Sequence, residues 1–169
     1  MKWIAISGSW RNTNKKIERD VRSVIRKIIA EGNGIVAGGA LGVDYFATDE
    51  AMKVDPFCKK IKIFLPAKLE IFAKHFFKRA KEGVITQKQA KDLINQLTRL
   101  KKTNPKALIE NKEHTTINKE AYYARILKII TASDELIAFH VNQSEGTQYT
   151  INQAGKKKIP VKIFTYSLA

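Results

Sequence analysis

The chain has 169 residues, enough for one domain with a sizeable core. Hydrophobic residues make up 44%, an ordinary fraction for a globular protein, and no apolar run nears the ~20 residues that span a bilayer. Lys and Arg number 31 against 16 Asp and Glu, a net charge of +15, which favours acidic partners such as phosphate ligands or nucleic acid. A generally lysine-rich composition accounts for the same number, since lysine far outnumbers arginine. Cys58 stands alone, so no internal disulfide forms. The first residues, Met1 to Gly8, are interrupted too soon for a signal peptide, and the expected location is the cytoplasm.

The predicted elements alternate along the chain. Trp3 to Ser7 is a short apolar run ending at Gly8, a buried strand. A cap among Asn12, Thr13 and Asn14 starts a helix whose Ile17, Val21, Val24, Ile25, Ile28 and Ile29 share one face. Gly32-Asn33-Gly34 ends it. Ile35 to Ala37 is a second strand, and Gly38-Gly39 turns into a helix with Val43, Phe46, Ala47 and Met52 facing inward. Lys60 to Leu65 alternates and stops at Pro66, a third strand. A helix from Leu69 to about Lys81 follows, carrying Phe72, Phe76 and Phe77 at core spacing. Thr86 with Gln89 forms a capping box for another, to about Lys102. Asn118 caps a helix through Tyr122, Ile126, Leu127 and Ile130. Glu135 to Val141 is a fourth strand, Gly146-Thr147 opens a helix ending near Gly155, and Ile159 to Phe164 is the fifth strand.

Strands alternating with helices imply an α/β, Rossmann-like three-layer sandwich with a mainly parallel five-stranded sheet. Residues 1–169 read as a single domain with a helical excursion at about 68–117 after the third strand. Residues 68–112 hold twelve Lys and Arg against four acids, a net +8 and about half of the whole excess. That charge suits a solvated face or a nucleic-acid contact. An apolar face on the excursion would also allow a homo-oligomer.

Ligands of open parallel sheets sit outside the carboxyl ends of the strands, where the strand order reverses. Three glycine-bearing turns fall at such ends: Ser7-Gly8-Ser9-Trp10-Arg11, Gly38-Gly39-Ala40-Leu41-Gly42-Val43-Asp44, and Ser144-Glu145-Gly146-Thr147. Glycine lets a ligand approach the backbone, and the helix that follows presents unpaired N–H groups and its positive end, which suits phosphate. Ser9 and Thr147 add hydroxyls and Arg11 adds charge.

These turns, with Ile4 to Ser9, Ala37 to Asp44, Phe64-Leu65-Pro66, Ala132 to Phe139, Gly146-Thr147, Ala154 and Lys158 to Val161, resemble the SLOG superfamily. That superfamily joins the Rossmann core of DNA-processing protein A, the LOG-type phosphoribohydrolases and small nucleotide-sensing domains. The resemblance covers most of residues 2–66 and 118–165 and leaves out the excursion. It implies a nucleotide or nucleotide-derived ligand, contacted by Gly8, Ser9, Trp10 and Arg11 at the first turn. Gly38, Gly39, Ala40, Gly42 and Asp44 would form a second wall, and Gly146 and Thr147 would receive a phosphate. It calls for no cofactor.

The departures bear on chemistry. Many relatives carry arginine directly after the Gly-Ser pair, where this chain has Trp10 and then Arg11. Trp10 can stack on a base or act as a surface anchor. The LOG-type Pro-Gly-Gly-x-Gly-Thr-x-x-Glu pattern lacks its proline and glycine pair here, and Thr150 stands where its glutamate should be. Glycosidic chemistry relies on a placed carboxylate, so hydrolase activity is disfavoured. Glu145, Asp44 and Glu135 are the nearest substitutes. Members often have Arg-Asn on the helix before the fourth strand; here it is Arg125-Ile126, and Arg125 can reach a phosphate or point to solvent. His75, His114 and His140 show no metal-ligand spacing. Three functions are therefore weighed: a nucleotide-binding or sensing module, an enzyme at N-glycosidic bonds (a nucleoside or nucleotide hydrolase or a deoxyribosyltransferase), and a DNA- or RNA-binding protein.

Overall fold

The computed structural model describes residues 1–169. Strand β1 (Trp3–Gly8) leads into α1 (Lys15–Ala30), β2 (Gly34–Gly38), α2 (Val43–Val54) and β3 (Ile61–Phe64). The chain continues through α3 (Leu69–Lys81), α4 (Gln87–Thr103), β4 (Leu108–Ile109), α5 (Lys119–Thr131), β5 (Glu135–Val141), α6 (Glu145–Lys157) and β6 (Val161–Tyr166). The strands form one sheet in the order β4-β3-β2-β1-β5-β6, with every pairing parallel. Strand order therefore reverses between β1 and β5.

Side-chain alternation along the strands sorts the core into two layers. Ile4 and Ile6 of β1, Ile35 and Ala37 of β2, and Phe139 and Val141 of β5 pack toward α1 to α4. Ala5, Val36, Leu136 and Ala138 face the other way, onto Ile129 and Ile130 of α5 and Ala154 of α6. Helix α1 starts where the Asn14 side chain accepts the Ile17 amide, and it buries Ile17, Val21, Ile25, Ile28 and Ile29. The buried Glu50 of α2 clamps it through Arg22 at 3.1 Å and Arg26 at 3.2 Å.

The middle of the chain departs from the sequence reading. Helices α3 and α4 form a hairpin, and the predicted Thr86–Gln89 capping box is present. Leu93, Leu97 and Leu100 of α4 are fully buried, while the Gln96 amide donates to the Tyr45 carbonyl of α2 at 3.1 Å. The excursion is not all helical. Leu108 and Ile109 pair with Ile63 and Phe64 as an edge strand, which raises the sheet from five strands to six. Two residues after Pro105 carry no periodicity, so sequence pattern cannot separate them from loop. Phe72 and Phe76 are buried as core spacing predicts, but Phe77 is 38% exposed. The last strand runs from Val161 to Tyr166, two residues later than read, because α6 extends to Lys157 and turns through a left-handed Lys158. No helix is long and apolar enough to cross a membrane.

Candidate functional site

The carboxyl ends of β1, β2 and β5 surround the switch point. The β1–α1 and β2–α2 turns are locked together. Val43 donates its amide to the Ser9 carbonyl at 3.0 Å, and Gly42 takes φ +71 so that the chain can pass the Ser9–Trp10 backbone. A Cβ on Gly42 would lie 2.3 Å from the Ser9 carbonyl oxygen, a contact that only glycine avoids. The buried Ser9 hydroxyl accepts the Asn12 amide at 2.8 Å, so it shapes its own loop. Trp10 is 42% exposed, and the Arg11 guanidinium lies 4.4 Å over its ring.

The start of α6 is open. Ser144 makes no side-chain cap and instead donates its hydroxyl to Thr147 Oγ1 at 2.8 Å. The first-turn amides are left without a side-chain partner, and nothing lies within 4 Å of the direction a Gly146 Cβ would take. Thr150, at the position of the LOG-type glutamate, is buried and donates its hydroxyl back to the Gly146 carbonyl at 2.9 Å. The loop before α6 holds Asn142 at φ 50 and Gln143 at φ 53. Two successive non-glycine residues in the left-handed region cost about 1–2 kcal/mol each, less for Asn. Asn142 is held there by a bond from the Leu168 amide to its side chain at 2.7 Å. Gln143 has no such tie. Gln143→Gly is therefore expected to raise unfolding stability by about 1 kcal/mol in denaturant titration, because it relieves backbone strain without deleting a contact.

The third wall carries charge. The guanidinium of Arg125, on α5, crosses the backbone at Gly38 beside the Asp44 carboxylate. A Cβ on Gly38 would lie 2.8 Å from Arg125 Cζ and 3.0 Å from Asp44 Oδ2. Arg125 Nε and Nη1 are buried and have no hydrogen-bond partner. Tyr122 lies beneath the cation, its ring 5.1 Å away. Burial pushes the Asp44 carboxyl up to about 7, while the Arg125 charge and the Ala40 and Gly38 amides pull it back. Burial lowers Arg125 in turn, opposed by Asp44.

Gly8, Ser9, Trp10, Arg11, Gly38, Ala40, Asp44, Arg125, Glu145, Gly146 and Thr147 all line one cleft of about 360 Å³. Gly39 and Gly42 do not line it. Gly39 is a packing glycine, 2.4 Å from Leu65 Cδ2 by the same measure, and Gly42 closes the loop behind the wall. Of the carboxylates read as substitutes, Glu135 lies at the opposite, amino end of β5, bound to Lys2 at 2.9 Å. Glu145 is solvent-exposed and is held below the usual carboxylate range by its hydrogen bond to Lys119 at 3.2 Å and by the Tyr123 hydroxyl at 3.3 Å. Asn12, Ile126 and Ile129 also line the cleft, although the sequence marks the first only as a cap candidate and the isoleucines only as helix residues. The two isoleucines carry only a helix-core signal, and their position at the cleft depends on where α5 docks.

By sequence the chain matches no family model and no curated protein. Its fold has solved counterparts. DNA processing protein A from Helicobacter pylori, whose structure describes a single-stranded DNA binding mode, superposes with a TM-score of 0.69 at 21% identity. That likeness covers 96% of this chain and 64% of the other. This chain has the Rossmann-like fold of these structures. DNA processing protein A from Streptococcus pneumoniae gives a TM-score of 0.65 at 18% identity, over 96% of this chain and 50% of that one. The molybdenum cofactor carrier protein from Chlamydomonas reinhardtii gives 0.57 at 14% identity, over 100% and 91%. The chain thus spans about half to two-thirds of the length of the two DNA processing proteins. The parallel α/β fold accounts for the position of the cleft, at the reversal between β1 and β5.

Proposed function

We propose that this chain is a binding or sensing module for a nucleotide or nucleotide-derived ligand, whose phosphate sits between the start of α6 and Arg125. The observation that carries this reading is the buried Arg125 guanidinium, whose Nε and Nη1 lack partners beside a helix start without a side-chain cap. A buried cation without hydrogen-bonded compensation is costly, and an anion in the adjoining cleft relieves that cost. Backbone amides and the helix dipole at Gly146 and Thr147 would supply the other half of the phosphate contact.

The carboxylates favour binding over glycosidic chemistry. A general acid for that reaction needs a raised pKa next to the scissile bond. Glu145 is solvated and lowered, and Thr150 replaces the expected glutamate with a hydroxyl turned onto its own helix. Asp44 is raised, but it is buried beside the Arg125 guanidinium, whose positive charge favours its ionised form over that of an acid ready to donate a proton.

Calorimetry against a panel of nucleoside phosphates, cyclic nucleotides and ADP-ribose-type compounds tests the reading. Arg125→Gln is expected to weaken the best ligand roughly ten- to a hundredfold, the usual worth of hydrogen bonds to a charged group. A folded protein that binds none of the panel overturns the proposal. A second reading is single-stranded nucleic acid as ligand, favoured by the likeness to the Helicobacter protein and by the basic α3–α4 segment. Its mark is oligonucleotide affinity that falls steeply as salt rises.

A further inference from the structure

A second hollow of about 520 Å³ opens beside the phosphate cleft and shares Trp10, Ala40, Arg125 and Gly146 with it. Its character is different. Phe72, Phe76 and Ile85 from the α3–α4 hairpin face Tyr122 and Ile126 of α5 across it. Arg11, Arg79 and Lys119 also line it, all three exposed, while His75 and Tyr122 set a polar pair among the aromatic side chains. Tyr122 Oη lies 3.5 Å from His75 Nε2, a long contact that leaves both groups with hydrogen-bonding capacity. Burial raises the Tyr122 phenol and, with the nearby Arg79 charge, lowers His75, so both are neutral at pH 7.

We infer that this hollow receives the nucleobase of the ligand whose phosphate occupies the adjoining cleft, with the α3–α4 hairpin as its outer wall. The inference rests on the phosphate reading above. An apolar, aromatic slot with one neutral donor–acceptor pair fits a flat heteroaromatic ring that carries both kinds of group on its edge. A bare sugar would leave its hydroxyls unsatisfied against Phe72, Phe76 and Ile85. The charged residues of the lining, Arg11, Arg79, Lys119 and Arg125, are all cations, so a cationic ligand group would find no opposite charge there. Ala40 and Arg125 line both hollows, so a ring in one and a phosphate in the other can belong to one ligand. This assigns the hairpin a role that its net charge alone does not supply. Its buried side forms the base slot, whatever its lysines do outside.

The chemistry is shared by a free mononucleotide and by one nucleotide of a single strand, and the test separates them. Binding of AMP, GMP, CMP and UMP is compared with ribose 5-phosphate and with the free nucleosides. A base-bearing hexanucleotide is compared with one that is abasic at a single position. The expected result is that the best mononucleotide binds roughly ten- to a hundredfold more tightly than ribose 5-phosphate, the worth of stacking one base. Val84→Trp should then fill the slot. Val84 lines this hollow but not the cleft, and it is exposed in the α3–α4 turn. The variant should lower mononucleotide affinity to that of ribose 5-phosphate and leave the latter unchanged. If the base advantage appears only in the oligonucleotide pair, the ligand is a strand. Equal affinity for mononucleotides and ribose 5-phosphate, with no difference between the two hexanucleotides, overturns the base slot and spares the phosphate reading. Nucleosides binding as tightly as their phosphates would do the reverse. No binding by any compound overturns both.

Discussion

Gly38→Ala is expected to abolish most ligand affinity while leaving the protein folded. The new methyl group would fall 2.8 Å from Arg125 Cζ and 3.0 Å from Nη1, inside contact distance. The atoms it meets are the far ends of flexible side chains, Arg125 and Asp44, so the guanidinium moves rather than the sheet. Affinity for a nucleoside phosphate should fall roughly ten- to a hundredfold, matching Arg125→Gln, because both changes remove the same charge-assisted contact. The double variant should be no worse than either single one, since the two changes act on one interaction. Calorimetry on the three proteins, with thermal unfolding as the folding control, decides it. Additive losses would mean that Gly38 touches the ligand directly and that Arg125 acts elsewhere.

Asp44→Asn should stabilise the protein in a pH-dependent way. The folded Asp44 carboxyl sits at about 7 against an ordinary value of 3.8. Between those values the native state keeps a proton that the unfolded chain has lost. Stability contributed by neutral Asp44 is therefore complete below about pH 4 and is lost as pH rises to about 7, then stays level. The size of that loss is on the order of 4 kcal/mol. Asparagine mimics the neutral form at every pH, so the variant's advantage should be absent near pH 4 and full above pH 7. Urea titrations at pH 4.5, 6 and 8 read this directly. Parallel stability curves for the two proteins would show that the Arg125 charge outweighs burial and keeps Asp44 ionised throughout.

The same titration bears on binding. Above pH 7 an ionised Asp44 competes with the ligand for Arg125, so affinity for a phosphodiester, whose own charge is constant there, should fall between pH 6 and 8. In Asp44→Asn it should not. The comparison needs a diester because a monoester gains charge near pH 6 and would mask the trend.

Much of this architecture was legible in residue order. Alternating apolar runs and glycine-marked turns located β1, β2, β3 and β5 within a few residues, and the Thr86–Gln89 box located the start of α4. Both are local signals, set by hydrogen bonding and burial within one element. The first, second and fifth crossovers fixed which turns lie at strand ends, and so the candidate cleft residues. Where several roles fit one residue type, the pattern was silent. Gly38 and Gly39 are adjacent and identical in sequence, yet one faces Arg125 and the other Leu65. Which neighbour each meets depends on how α5 and α4 dock against β2.

What the amino-acid order determined alone is the α/β alternation, the basic charge and a hydroxyl rather than a carboxylate at position 150, because these are properties of single residues and short periods. Tertiary structure decided the rest. It made Leu108 and Ile109 a strand by offering β3 as an edge, and it set Arg125 beside Asp44 across 81 residues of chain. It also brought His75 to Tyr122 to wall a second hollow. Those outcomes depend on packing between elements far apart in the chain, and no local period encodes them.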